Sequence, residues 1–162
     1  MLTELFSTLM NTYSYLGIFL ISLIGSSTII LPLPSAAFVF AAGAILNPFF
    51  VGLLAGIGAT IGEFTGYFLG LGGRKIIKDK WKKMVNKTEK LFQKYGGFLV
   101  ILIFAATPLP DDITGIVGGI LKYPIKKFFI AVLIGKIILH LIIAYAGLYS
   151  MKWVLDVLGF GS

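Results

Sequence analysis

The sequence contains no cysteine, which excludes disulfide staples, thiol chemistry and thiolate-bound metals. A single histidine, His140, leaves a metal centre short of ligands and a histidine-based hydrolase triad without support. No metal or other cofactor is therefore expected. Charge is sparse: 13% of the residues are charged, where soluble domains carry about 25%. The first 73 residues hold no lysine or arginine, so residues 1–12 lack the basic region of a secretory signal. The run Gly70-Leu71-Gly72-Gly73-Arg74-Lys75 lacks the spacing of a phosphate loop. No nucleophile–base pair is evident, so the chain is not expected to be an enzyme.

What remains is largely apolar. A hydrophobic content of 57% and a mean hydropathy of +0.95 over 162 residues describe one integral membrane domain, without an appended soluble one. The net charge is +7, and nine of the fourteen basic residues lie between Arg74 and Lys94. In a membrane protein this cluster marks a cytoplasmic loop, not nucleic-acid recognition. Within 74–95, Ile77, Trp81, Met84, Leu91 and Tyr95 fall at helical spacing, with Thr88 in the gap and lysines on the other face. An amphipathic helix lying on the inner leaflet and a mobile basic loop both fit this pattern.

One short phrase occurs twice. Pro32-Leu33-Pro34 and Pro108-Leu109-Pro110 interrupt apolar stretches, and each is followed by a glycine (Gly43, Gly119) and another proline (Pro48, Pro124) at a constant offset of 76. Each proline ring removes a backbone donor and clashes with the preceding turn, and lipid offers no water to the freed carbonyls. Paired, broken apolar segments in two halves of a chain point to a transporter's binding site. Residues 49–73 and 128–150 are each long enough to cross a hydrocarbon core of about 30 Å. Residues 96–107, at ~1.5 Å each, cover only about 18 Å.

Lys122, Lys126 and Lys127 follow the second break and are expected on the cytoplasmic side with the 74–94 cluster. Residues 96–121 then enter and leave on one side. The expected fold is an all-α membrane protein, an inverted repeat of a re-entrant helical hairpin plus a transmembrane helix. Its halves are about 13–73 and 96–150, joined by the basic linker 74–95. Residues 1–12, too polar to span, are expected to form a short interfacial or extracytoplasmic helix of their own, and 151–162 an interfacial anchor. Residues 13–31 suit either a full span or a hairpin arm.

The ionisable groups placed inside the membrane are Glu63, Asp111, Asp112, Lys136 and His140. A charge at a helix centre costs about 2.5–3.5 kcal/mol on the insertion scale, so such groups face a partner or a water-filled cavity. Glu63 suits either an ion pair with Lys136 or a titratable lining of a cavity. Asp111 and Asp112 sit at the second break; one can cap the arm beginning at Ile113, and the two together suit a cation or a proton. Lys136 and His140 lie one helical turn apart. The residue 77 beyond Glu63 is His140, so these two are near-equivalent in the repeat. Gly58, Gly62, Gly66 and Gly70 recur every fourth residue and form a face for close helix packing, suited to a homodimer.

Three pieces of this chain resemble the DedA family, also described as VTT or SNARE-associated Golgi domain proteins. They are Leu31-Pro32-Leu33-Pro34-Ser35 with Gly43, Gly62-Glu63-Phe64-Thr65-Gly66-Tyr67, and Phe104-Ala105-Ala106-Thr107-Pro108-Leu109-Pro110-Asp111-Asp112 with Gly118-Gly119 and Phe128-Phe129. The likeness spans residues 15–150. It implies two opposed re-entrant hairpins and a role in moving polyprenyl-phosphate or other phospholipids across the bilayer, coupled to protons or Na⁺. The chain departs from many members at Ser35-Ala36-Ala37, where an acid is usual, and in carrying Asp111 and Asp112 in place of arginines.

The leading expectation is thus a lipid translocase or scramblase of the cell membrane, multi-pass, with Glu63, Asp111 and Asp112 as coupling carboxylates and Lys136 as counter-ion or phosphate contact. A proton- or cation-coupled transporter of small solutes and a non-transporting partner in a membrane complex are the alternatives. The expected partners are membrane lipids with protons or Na⁺.

Overall fold

The computed structural model describes residues 2–27, 35–73, 79–108 and 112–158, with side chains from Ser14 onward and, in the basic segment, from Lys82 onward. All regular structure among these residues is helical. The elements are α1 (Leu2–Ser27), α2 (Ser35–Ile45), α3 (Pro48–Gly62), α4 (Phe64–Leu71), α5 (Asp79–Tyr95), α6 (Gly97–Ala105), α7 (Asp112–Ile120) and α8 (Ile125–Val157).

Local chemistry sets the boundaries. Asn47 caps α3: the Phe49 N–H donates to Asn47 Oδ1 at 3.0 Å, and Pro48 occupies the first helical position, where no donor is needed. The Asn47 N–H in turn donates to Tyr15 Oη at 3.1 Å, pinning the start of α3 to α1. The helix α6 begins after Gly96, whose φ of 85° is open to glycine. The helix α7 closes in a Schellman turn, with Tyr123 N–H on the Gly118 carbonyl and Lys122 N–H on the Gly119 carbonyl.

Two stretches, Pro48–Leu71 and Ile125–Val157, are long and apolar enough to cross a membrane. The first is α3 and α4 end to end, interrupted only at Glu63. Of the two, α3 crosses α8, at Gly56, where an added Cβ would press on Ile137, and at Gly52, where it would press on Leu141. On α8, Phe128, Ala131, Val132, Gly135, Lys136, His140, Ala144 and Gly147 are buried. Ile130, Ile134, Ile138 and Ile142 form the opposite, exposed stripe, a face that only lipid or another apolar body would tolerate. One core gathers Ile18, Val39, Val51, Ala55 and Ala144; the other gathers Tyr67, Val100, Ile101, Ile113, Val117, Phe128 and Val132.

The helices α6 and α7 are nine residues each, about 14 Å at ~1.5 Å per residue. Gly97 at the start of α6 lies against the Tyr123 ring just past the end of α7, so the pair leaves from and returns to one end of the molecule. The basic segment meets the same end, because Phe92 of α5 stacks on Tyr123 at 6.0 Å and 11°.

Three expectations change. Residues 1–12 do not form a separate helix: α1 runs unbroken from Leu2 to Ser27, since no proline intervenes to stop it. The helix α8 likewise continues past 150 to Val157, so the tail begins as helix. In α5 the stripe turned inward is Val85, Thr88, Glu89 and Phe92, one step round from the expected one. Val85 and Phe92 join the second core, while Met84 and Tyr95 stay exposed. The amphipathic helix spends its main apolar face on the protein itself. Pro32, Pro34, Pro110 and Asp111 lie outside the described residues.

Candidate functional site

Glu63 occupies the single-residue interruption between α3 and α4. Its N–H still donates to the Ala59 carbonyl at 3.0 Å, and its own carbonyl accepts from Tyr67 N–H at 3.4 Å, so the axis continues through the interruption. Beside it Thr65 donates its hydroxyl to Gly62 O at 2.9 Å and to Ser27 O at 3.2 Å, tying the break to the end of α1. This back-bonding competes with the helical ladder and loosens it locally.

From this position the Glu63 carboxylate reaches Lys136 Nζ on α8, with Oε1 at 2.8 Å. The pair is shut off from the surroundings: the side chains are 2% and 7% exposed. One turn on, His140 is also buried, and its Nδ1 donates to the Lys136 carbonyl at 2.7 Å. Facing a carbonyl, Nδ1 must carry hydrogen, so in the neutral ring Nε2 carries the lone pair. The structure thus joins Glu63 to Lys136 across the two long helices, with His140 buried one turn further along α8.

The first turn of α7 lies against the same place. A Cβ on Gly115 would stand 3.4 Å from the Glu63 carbonyl, and one on Gly66 would stand 3.2 Å from the Asp112 carbonyl. Asp112, half-buried, therefore starts its helix one turn along from Glu63. Pro108 is exposed in the turn after α6. Of the glycine series, Gly58 and Gly62 receive the α1 backbone at Phe19 and Leu23, while Gly66 and Gly70 receive α7. The face expected to suit a homodimer is covered from within, and a second copy has no access to it.

Several polar residues here escaped sequence reasoning. Thr60 is buried with its hydroxyl on the Gly56 carbonyl at 2.7 Å; Thr114 is buried on α7; Ser22 is buried on α1, and its hydroxyl has no hydrogen-bond partner among the described residues. Tyr67 donates its hydroxyl to the Tyr123 carbonyl at 2.6 Å, locking α4 to the turn before α8. Only Tyr67 carried a signal, its place in Glu63-Phe64-Thr65-Gly66-Tyr67. Among the described residues no three His, Asp or Glu side chains group to hold a metal.

Around this group one helix crossing is built twice. Gly43 of α2 sits on the Ala144 backbone of α8, and Gly147 of α8 sits on the Phe40 carbonyl of α2. In the other crossing Gly119 of α7 sits on the Tyr67 carbonyl of α4, and Gly70 sits on the Ile116 carbonyl of α7. Gly119 follows Gly43 by 76, Ile116 follows Phe40 by 76, and Gly147 follows Gly70 by 77. In each case a short helix packs on the long helix of the other half.

An all-helical body with two candidate spans, exposed apolar stripes and a buried ion pair between those spans defines an integral membrane protein. The model of the VTT domain matches residues 33–149, so the chain belongs to the VTT domain (DedA) family of membrane proteins. An uncharacterized protein of Methanocaldococcus jannaschii is 28% identical over 140 residues, covering 85% of this chain and 86% of its own. An uncharacterized membrane protein of Buchnera aphidicola subsp. Schizaphis graminum is 29% identical over 151 residues, covering 86% of this chain and 59% of its own. No solved structure matches the chain.

Proposed function

We propose that the protein is a lipid translocase, moving a phospholipid or polyprenyl-phosphate lipid across the cell membrane in steps coupled to protonation of Glu63. The observation that carries this reading is the buried Glu63–Lys136 pair at 2.8 Å, set at the interruption of one span and bridging to the other. Two such charges are tolerable in a low-dielectric interior only together; removing one partner strands the other at a cost of about 3–5 kcal/mol. A proton delivered to Glu63 does what a mutation would do. Lys136 then loses its counter-ion, and either the spans separate there or another anion takes the place of the carboxylate. The phosphate of a lipid has the charge and the acceptors for that exchange. His140, hydrogen-bonded to the Lys136 carbonyl, offers an imidazole one turn along α8 as a relay for that proton.

On this reading the halves form an inverted repeat. The pairs α1–α2 and α6–α7 are re-entrant hairpins from opposite faces, with α5 and the turn 122–127 in the cytoplasm. The doubled glycine crossing supports it, since the same contacts recur at offsets of 76 and 77. Rocking one half on the other about these crossings would expose the ion pair alternately to either side.

The test is lipid flipping in proteoliposomes, read with a fluorescent phospholipid. Glu63→Gln and Lys136→Met are expected to reduce flipping to the level of protein-free vesicles, while Asp156→Asn, at an exposed site, leaves it unchanged. Full activity in Glu63→Gln refutes the coupling role. Gradient-driven uptake of a water-soluble solute by vesicles that do not flip lipid supports the small-solute transporter instead.

A further inference from the structure

The turn joining α7 to α8 carries two placements that cost stability. Lys122 has φ of +50°, the left-handed conformation at the position after a helix where glycine is usual. Lys126 and Lys127 stand in the first turn of α8, where the helix dipole is positive and no acidic residue offsets them. All three are exposed, and no ion pair or side-chain hydrogen bond among the described residues engages them. Local rules broken together in one short segment point to a functional demand.

Directly below lies an open groove of about 360 Å³, lined by Phe64, Ile125, Lys126, Phe129 and Ile130. That volume falls within the range of about 300–1,000 Å³ typical of ligand clefts. Its floor is fixed by aromatic packing, with Phe64 stacked on Phe129 at 5.9 Å and 23° and set edge-on to Phe128 at 5.9 Å. The whole lining is apolar: Lys126 contributes its methylene stem, and its ammonium lies off the lining. The open side adjoins the exposed isoleucine stripe of α8, beginning at Ile130. An apolar trough bordered by the Lys126 stem, whose exposed ammonium lies beyond the lining and has no partner among the described residues, complements an amphiphile with an anionic head and a hydrocarbon tail.

We propose that this turn and groove bind one anionic phospholipid. Its phosphate rests on Lys126, flanked by the charges of Lys122 and Lys127, and one acyl chain lies along Phe64, Phe129 and Ile130. The site stands whether or not the protein transports lipid, because it rests on the groove and the unpaired lysines and not on the Glu63–Lys136 pair.

Native mass spectrometry of the full chain in detergent, titrated with dioleoyl phosphatidylglycerol or dioleoyl phosphatidylcholine, tests it. The expected result is preferential retention of phosphatidylglycerol, reduced roughly fivefold for each lysine neutralised in Lys126→Gln and Lys122→Gln/Lys126→Gln. Lys126→Arg is expected to retain it, and Lys152→Gln, at the other end of α8, to leave it unchanged. Phe129→Ser is expected to weaken both lipids while the protein keeps its unfolding temperature within a few degrees. Equal loss in Lys152→Gln overturns the site in favour of diffuse surface charge. Unchanged preference in the double variant overturns it outright. Displacement of the lipid by millimolar inorganic phosphate overturns the groove's part, because the head group alone then suffices.

Discussion

The α2–α8 and α7–α4 crossings share one geometry and end in different chemistry. Each seats a glycine of a short helix on the backbone of a long one, with a second glycine returning the contact. Yet α2 runs out into Leu46-Asn47-Pro48, with no charge, while α7 runs out into Lys122 and the lysines of α8. At the centre the same contrast recurs, with Glu63 on one long helix and His140 at the matching position on the other. Packing between helices in lipid depends on close backbone approach, so the glycines must recur wherever the crossing recurs. Charge has no such need, and it is free to differ between the halves and so to distinguish the two ends of the molecule.

That comparison can be broken at its centre first. Lys136→Met is expected to destabilise the protein by about 3–5 kcal/mol, because Glu63 is left charged and buried. Glu63→Gln/Lys136→Met should recover most of that loss, as read by thermal unfolding in detergent. If the single and double variants unfold alike, the pair does not couple the spans. The crossings come next. Gly70→Leu and Gly43→Leu each force a side chain into a carbonyl of the facing helix, and each should cost about 1–3 kcal/mol or more. Similar losses at both would sharpen the equivalence of the two crossings, and a loss at one alone would break it.

Tyr67→Phe removes the donor to the Tyr123 carbonyl and should cost about 1 kcal/mol, with faster hydrogen exchange at the turn before α8. A smaller effect has the opposite sign. Lys122→Gly relieves the left-handed strain and is expected to raise stability by about 1 kcal/mol, while weakening phosphatidylglycerol retention. Gly17→Ala, on α1 where an added Cβ meets nothing within 4 Å, should stabilise by no more than about 1 kcal/mol. It serves as the reference for glycines that crossings do not need.

Much of this was legible in the chain. The two spans, the short α6 and α7, and the membership of the family followed from apolar length, proline breaks and three motifs. The contact of Glu63 with Lys136 was one of two readings, because so few charges lie in the apolar stretches that opposite signs have little else to find. The inward stripe of α5 was not legible. Val85 with Phe92 and Met84 with Leu91 and Tyr95 are both apolar rows on one helix, and periodicity does not rank two adjacent rows. The partner of the glycine face was equally hidden. A small-residue series specifies close approach without saying to what, and α1 and α7, tethered in the same chain, take the place at high effective concentration. The continuity of α1 through Asn11 and Thr12 is not legible either, because residues too polar to span a membrane can still continue a helix beyond it.

By itself the sequence determined the solvent this protein lives in, the two apolar stretches long enough to cross it and the places where proline forbids an unbroken helix. Those follow from hydrophobicity and proline, which act on each residue locally. The tertiary structure alone decided that Glu63 meets Lys136, that each short helix crosses to the other half, and that the Lys126 stem joins Phe64 and Phe129 in lining an apolar trough. Such pairings depend on which backbones approach closely enough, and that is settled only when all the helices compete for the same few glycine surfaces.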